Sequence, residues 1–310
     1  MKKVRVEAST KKDRTSEIFG NPMSKKVIRK AQKSKQKNQK KYGDDSKVNY
    51  QCIIRDNPCI GEPLGVKNVV VTRKEGKGSF DEEKGVIVGN IRMGFGHYRI
   101  SMAIASAAHA LGYTPYWMDL NSYPETTCTK LISAQNELYS LGSRISQKSK
   151  LFNKFVWEPV NYEGFRQLSY NAADQKNAEL MAPVYHSVPK NIPVIATHVW
   201  PAQAAVHAGM KHVVNAIPDN WPMALHYAQG SLHTVQTHYA YQGYRIGNGM
   251  MKDKVVQAMP PQDLMYTGHY IDHELAANIE KDCEARLSRL KNGEAMRFLL
   301  TVGGAGAQME

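Results

Sequence analysis

Residues 85–111 constrain this chain more than any other stretch. Gly85-Val86-Ile87-Val88-Gly89-Asn90-Ile91 is a continuous apolar run bounded by glycine, the pattern of a strand buried on both faces of a parallel sheet. Met93-Gly94-Phe95-Gly96-His97 follows, and then Ile100, Ile104, Ala107 and Leu111 recur at helical spacing. Strand, glycine loop and helix start in succession belong to an α/β fold with a doubly wound parallel sheet. Such a turn aims backbone N–H groups and the positive end of the helix dipole past the sheet edge, toward a phosphate or a developing anion.

At 310 residues the chain has room for about two domains. Its net charge of +13 is unevenly placed. Residues 1–50 hold 16 Lys or Arg against 5 Asp or Glu, which leaves a net of only +2 for the remainder. Nucleic-acid binding by the folded part therefore has little electrostatic support. Four scattered cysteines, Cys52, Cys59, Cys128 and Cys283, suit a reducing cytoplasm better than a disulfide framework or a zinc ribbon. The basic N-terminus has no apolar segment behind it, so it is not a secretory signal, and no run is long enough to span a bilayer. Contact with a membrane is expected to be peripheral.

In chain order, residues 1–48 read as a basic, disordered tail with a frayed helix from about Ser24 to Lys41, a solvated extension or an electrostatic tether to anionic lipid or RNA. Residues 49–268 read as a Rossmann-like domain, with strands at Lys67–Arg73, Gly85–Met93, Thr114–Leu120, Ile192–Ala196, Val213–Ile217, His233–Thr237 and Asp263–Gly268. Helices fill 126–182. Residues 269–310 then give an amphipathic helix over 271–292, seamed by Leu275, Ile279, Leu287 and Leu290, and a strand over Arg297–Val302 that runs into Gly303-Gly304-Ala305-Gly306-Ala307-Gln308. A strand and glycine loop with no helix after them are the opening of a second doubly wound domain, so the sequence reads as cut short there.

Two such halves are the plan of the GT-B glycosyltransferases. The chain resembles the group that contains monogalactosyldiacylglycerol synthases, processive diacylglycerol glucosyltransferases and the N-acetylglucosaminyltransferase of the peptidoglycan lipid precursor. The resemblance runs over about 220 residues. It is carried by Gly94-Phe95-Gly96-His97, by Thr197-His198 with Pro201 behind it, by Pro218-Asp219 with Trp221 close after, by Thr267-Gly268, and by Gly303-Gly304-Ala305-Gly306-Ala307. It implies transfer of a hexose from a nucleotide sugar, UDP-linked, to a lipid or lipid-linked acceptor, with no separate cofactor. His97 or Asp219 would be the catalytic base. Gly94, Phe95, Gly96, Thr197, His198 and Trp221 would line the acceptor side, and Gly303 to Gln308 would cradle the donor diphosphate.

Plainer readings stand beside these. His97 could be a loop histidine bonded to backbone, Asp219 a helix cap, His198 a structural histidine, and Gly303–Gly306 a tight turn. His207, His212, His226, His233 and His238 show no paired ligand spacing, so no metal is expected. Tyr239, Tyr241 and Tyr244 are a cleft rim or plain packing. Two other functions fit the same plan: a nucleotide-sugar epimerase, or a non-catalytic protein tethered by its basic tail to membrane or nucleic acid.

Overall fold

Eight strands form one sheet. They are β1 (Gln51–Asp56), β2 (Lys67–Thr72), β3 (Gly85–Asn90), β4 (Thr114–Asp119), β5 (Val194–Ala196), β6 (Val213–Ala216), β7 (Leu232–Val235) and β8 (Leu264–Tyr266). Their spatial order is β8-β7-β6-β5-β3-β4-β2-β1, and all neighbours are parallel except the edge strand β1, which runs antiparallel to β2. The computed structural model describes residues 14–299 apart from 75, 77, 248, 249, 252, 253 and 255.

All six residues of β3 are buried, as its unbroken apolar run requires. Helix α2 (Phe95–Ala110) follows it and packs on β3 and β4. The chain then makes a helical excursion through α3 (Thr127–Lys148), two π-helical turns at Asn153–Trp157 and Val160–Gly164, and α4 (Leu168–Ala178). Only after this does it enter β5, on the other side of β3. The loops leaving β3 and β5 thus diverge. Open α/β sheets bind their ligands at this kind of reversal, beyond the carboxyl ends of the strands.

β1 is a strand that the sequence pattern does not announce. Its Arg55 and Asp56 are exposed, as charges on an edge strand often are. The expected strands from Lys67 to Gly268 are otherwise all present, a few residues shorter.

The expected disordered tail is corrected over residues 14–48. Helix α1 (Lys25–Tyr42) starts at Ser24, whose Oγ accepts from the Val27 N–H at 3.3 Å, and it packs along α4 with Ala31 only 1% exposed. Before it, Ile18, Phe19 and Met23 enter the core beside Tyr227 and Tyr244. Asn21 locks this segment to Gln257, donating to its carbonyl and accepting from its N–H, each at 2.8 Å. Average polarity hid a narrow apolar stripe, Val27, Ile28 and Ala31, that suffices once a partner helix is present. Residues 1–13 lie outside the described region.

At the other end, the helix expected over 271–292 is two, His273–Ala277 and Ile279–Lys291, broken at Asn278. Its seam residues Leu275, Ile279, Leu287 and Leu290 are all exposed. Arg297, Phe298 and Leu299 are not in a strand. The rest of that expected strand, and Gly303, Gly304, Ala305, Gly306, Ala307 and Gln308, lie outside the described residues.

Candidate functional site

The loop after β3 is built on two glycines with different tasks. Gly94, at the N-cap of α2, has φ 76° and ψ 171°, a conformation that side chains rarely adopt. Gly96 needs no such freedom. Its φ lies outside the left-handed region, and a Cβ built on it would meet nothing within 4 Å. No other glycine described combines both properties. A glycine in a first helical turn costs about 0.5–1 kcal/mol relative to alanine, and nothing in the fold requires it here. It leaves bare backbone at a helix N-terminus that has no side-chain cap and no acidic residue in its first turn. Phe95 beside it is 74% exposed.

His97 follows in the same turn. Its Nδ1 lies 2.6 Å from the Thr197 carbonyl, which can only accept, so Nδ1 carries the proton and Nε2 is the basic nitrogen of the neutral ring. The Ser101 hydroxyl, one turn on, lies 2.9 Å from the His97 carbonyl and 2.7 Å from Thr197 Oγ1, closing a bridge between α2 and the end of β5. Burial lowers the His97 pKa, and this outweighs the hydrogen bond to Thr197 and the field of Asp219, which act the other way. The ring is accordingly a neutral base near pH 7.

His198 is buried behind it, ring to ring at 4.9 Å. Its Nδ1 accepts from the Trp200 N–H at 3.2 Å, capping α5 (Val199–His207), so the neutral ring presents an Nε2–H donor. Burial holds its pKa well below the ordinary value, and the neighbouring His97 and His226 add to the effect. Behind it, the Trp200 indole donates to the buried Asp174 carboxyl at 3.2 Å.

Asp219, in the loop after β6, faces His226 Nε2 at 3.0 Å. His226 Nδ1 meets the Tyr244 hydroxyl at 2.8 Å, which makes a carboxylate, imidazole and phenol chain. Burial pushes the Asp219 pKa up, but the His226 hydrogen bond and the nearby rings of His226, His97 and His198 outweigh it, leaving the carboxyl at about 2. Two residues on, Trp221 stands between Tyr162 and Tyr239, with ring centroids 5.5 and 5.7 Å away, and the Arg166 guanidinium lies over its ring.

The structure therefore gathers His97, Thr197, His198 and Asp219 at one edge, with Gly94, Phe95 and Gly96 in the same loop as His97. Thr197 is wholly buried and acts through His97 and Ser101 rather than on solvent. Of the three tyrosines, only Tyr239 is exposed; Tyr244 is core and supports His226. Trp200, Asp174 and Ser101 are participants that the sequence does not single out, and His226 is one that the sequence marks only as a histidine without metal-ligand spacing. His226 reaches Asp219 through a short 3-10 turn at Ala224–His226, a fold-back with no local signature. His207 bonds Gln175, and His233 bonds the Ala228 N–H and lies against the Asp263 carbonyl, so both serve the interior. No group of three or more His, Cys, Asp or Glu able to hold a metal occurs among the described residues.

Fold and site together define an α/β protein with a polar histidine cluster at the strand reversal of a parallel sheet. Residues 17–246 match the family described as Domain of unknown function (DUF6937), and the chain belongs to that family. Residues 259–310 match a second, Domain of unknown function (DUF6938). No curated protein and no solved structure matches the chain.

Proposed function

We propose that the carboxyl edge of the sheet is the acceptor side of a sugar-transfer site, and that the protein moves a hexose from a UDP-linked nucleotide sugar to a hydroxyl of a lipid or lipid-linked acceptor. The observation that carries this reading is the juxtaposition of bare backbone at Gly96 with a histidine whose tautomer is set by the Thr197 carbonyl. His97 Nε2 takes the acceptor proton as the acceptor oxygen attacks the anomeric carbon. The bond to the diphosphate breaks on the opposite face, and its electron pair leaves with the phosphate oxygen. Asp219, with a pKa of about 2, is too weak a base to compete. Its charge instead favours the imidazolium that forms on His97.

A lipid acceptor is supported by the apolar surface near the site. Leu151, Phe155, Val156, Val160 and Tyr162 are exposed, and a groove of about 690 Å³ runs among Phe155, Val156, Pro159 and Val160, lined also by Glu163, Gly164 and Gln167. Isolated exposed apolar residues are ordinary, whereas a contiguous set points to an amphiphile. No described helix is long and apolar enough to cross a membrane, and on this reading the contact is peripheral. The donor diphosphate falls to Gly303–Gln308, outside the described residues.

The test is turnover of labelled UDP-hexoses with diacylglycerol and isoprenoid-linked acceptors. His97→Ala is expected to lower turnover by about 10²–10⁴-fold, the usual contribution of a positioned base, with donor binding unchanged. Undiminished turnover would remove His97 from the chemistry, and product formed without any acceptor would assign epimerisation instead.

A further inference from the structure

Helix α1 carries nine Lys or Arg and no acidic residue. Its inner face is committed to the body. Val27 and Ile28 pack against the core, Lys35 Nζ meets Glu179 at 2.6 Å, and the Asn38 amide donates to Asn177 Oδ1 at 3.0 Å. Lys35 is the helix's one cation with a carboxylate partner among the described residues. The other eight are all exposed: Lys26, Arg29, Lys30, Lys33, Lys37 and Lys40, with Lys25 and Lys41 at the ends.

This arrangement works against the helix that bears it. Lys26 and Lys30, Arg29 and Lys33, Lys33 and Lys37, and Lys37 and Lys41 are like-charged i,i+4 pairs, each opposing helix formation by about 0.2–0.5 kcal/mol. Docking on α4 holds the helix in register despite them, so the cations form a fixed stripe rather than a mobile cloud. From Lys25 to Lys41 the axis rises about 24 Å, which is one exposed cation per about 3 Å. A nucleic-acid strand in a duplex presents one phosphate per about 3.4 Å of axis. The outward face otherwise holds Gln32 and Gln36 and no apolar residue, because the apolar residues are used in docking. A helix that lies in a bilayer interface needs an apolar face free to insert.

We propose that the outward face of α1 binds the phosphate backbone of a nucleic acid, without selecting bases. This surface shares no residue with the His97 site and does not depend on how that site is read.

The experiment uses the full chain and fluorescence anisotropy with a labelled 20-nucleotide RNA and a 20-base-pair duplex over 25–300 mM KCl. Four to six phosphate contacts give a slope of log K against log salt of about −3 to −5. Replacing Lys26→Gln, Lys30→Gln, Lys33→Gln and Lys37→Gln together is expected to flatten that slope by about 3–4 and to weaken binding at least ~100-fold at 0.1 M salt. Glutamine is as good a helix former as lysine, so the circular dichroism spectrum should not change. A charge-matched control, Lys211→Gln, Lys281→Gln, Arg286→Gln and Lys291→Gln, removes exposed cations elsewhere and should cost less than about 3-fold. The proposal is overturned by absence of binding at 25 mM salt, by equal losses from the two variants, or by binding to phosphatidylglycerol vesicles that RNA and duplex do not compete away.

Discussion

Gly96 is a single residue at which the proposed function and stability make opposite demands. A Cβ there meets nothing, and alanine is the better helix former by about 0.5–1 kcal/mol. Gly96→Ala should therefore raise the stability measured by urea unfolding by about that amount. If a ligand lies against this backbone, the same methyl should weaken acceptor use at least ~10-fold, since a displaced contact of about 1.4 kcal/mol is tenfold. A stabilised variant with unchanged turnover would place the acceptor elsewhere. His226 gives the second residue-scale expectation. Without the hydrogen bond and charge of His226, only the rings of His97 and His198 still oppose desolvation at Asp219, so in His226→Leu the Asp219 carboxyl should titrate above 2, read by the pH dependence of its ¹³C shift. An unmoved titration would mean that the hydrogen bond does not hold it. At this scale, His97 and Asp219 were legible because each sits where a strand ends, a position that apolar runs reveal. His226, Trp200 and Asp174 were not, because His226 and Asp219 stand 7 positions apart and Trp200 and Asp174 26 apart, and these pairs meet only after folding.

At the scale of elements, α1 shows that a helix can be visible in a sequence while its role is not. Ser24 and the lysine run mark its ends closely, but docking depends on facing positions of α4, which no local pattern contains. The packing predicts a sharp contrast. Ser24→Ala removes one cap bond and should cost about 1 kcal/mol. Ala31→Asp places an unpaired carboxylate at the α1–α4 contact, where Ala31 is 1% exposed, and should cost about 3 kcal/mol or more. Hydrogen exchange would show whether α1 alone loosens in that variant or Asn171–Asn177 of α4 with it. Protection unchanged in both would mean that the helix is not docked. β8 makes the complementary point. It falls in the segment that matches the second family, yet it pairs with β7 of the first over three residues, so the two matched segments share one sheet.

For the whole molecule, buried titratable groups set opposing pH dependences. His207 is partly buried and His233 wholly so, and both are neutral, desolvation holding each at about 4 against an ordinary 6.5. Between about pH 6.5 and 4 the unfolded chain takes up protons that the native state refuses, so stability falls as pH falls through that window. Asp174 acts in the other direction. Burial raises its pKa from 3.8 to about 7, with the Trp200 hydrogen bond opposing the shift. The unfolded chain gives up this proton from about pH 4 upward and the native state only near 7. Stability therefore falls as pH rises through that interval, and the loss persists above it. Asp174→Asn keeps a carbonyl oxygen for the Trp200 N–H and removes the titration. It should be about 1–3 kcal/mol more stable than the wild type at pH 8, with the gain shrinking toward zero at pH 4, measured by urea unfolding at both. An equal gain at the two pH values would trace the effect to packing and not to the buried acid.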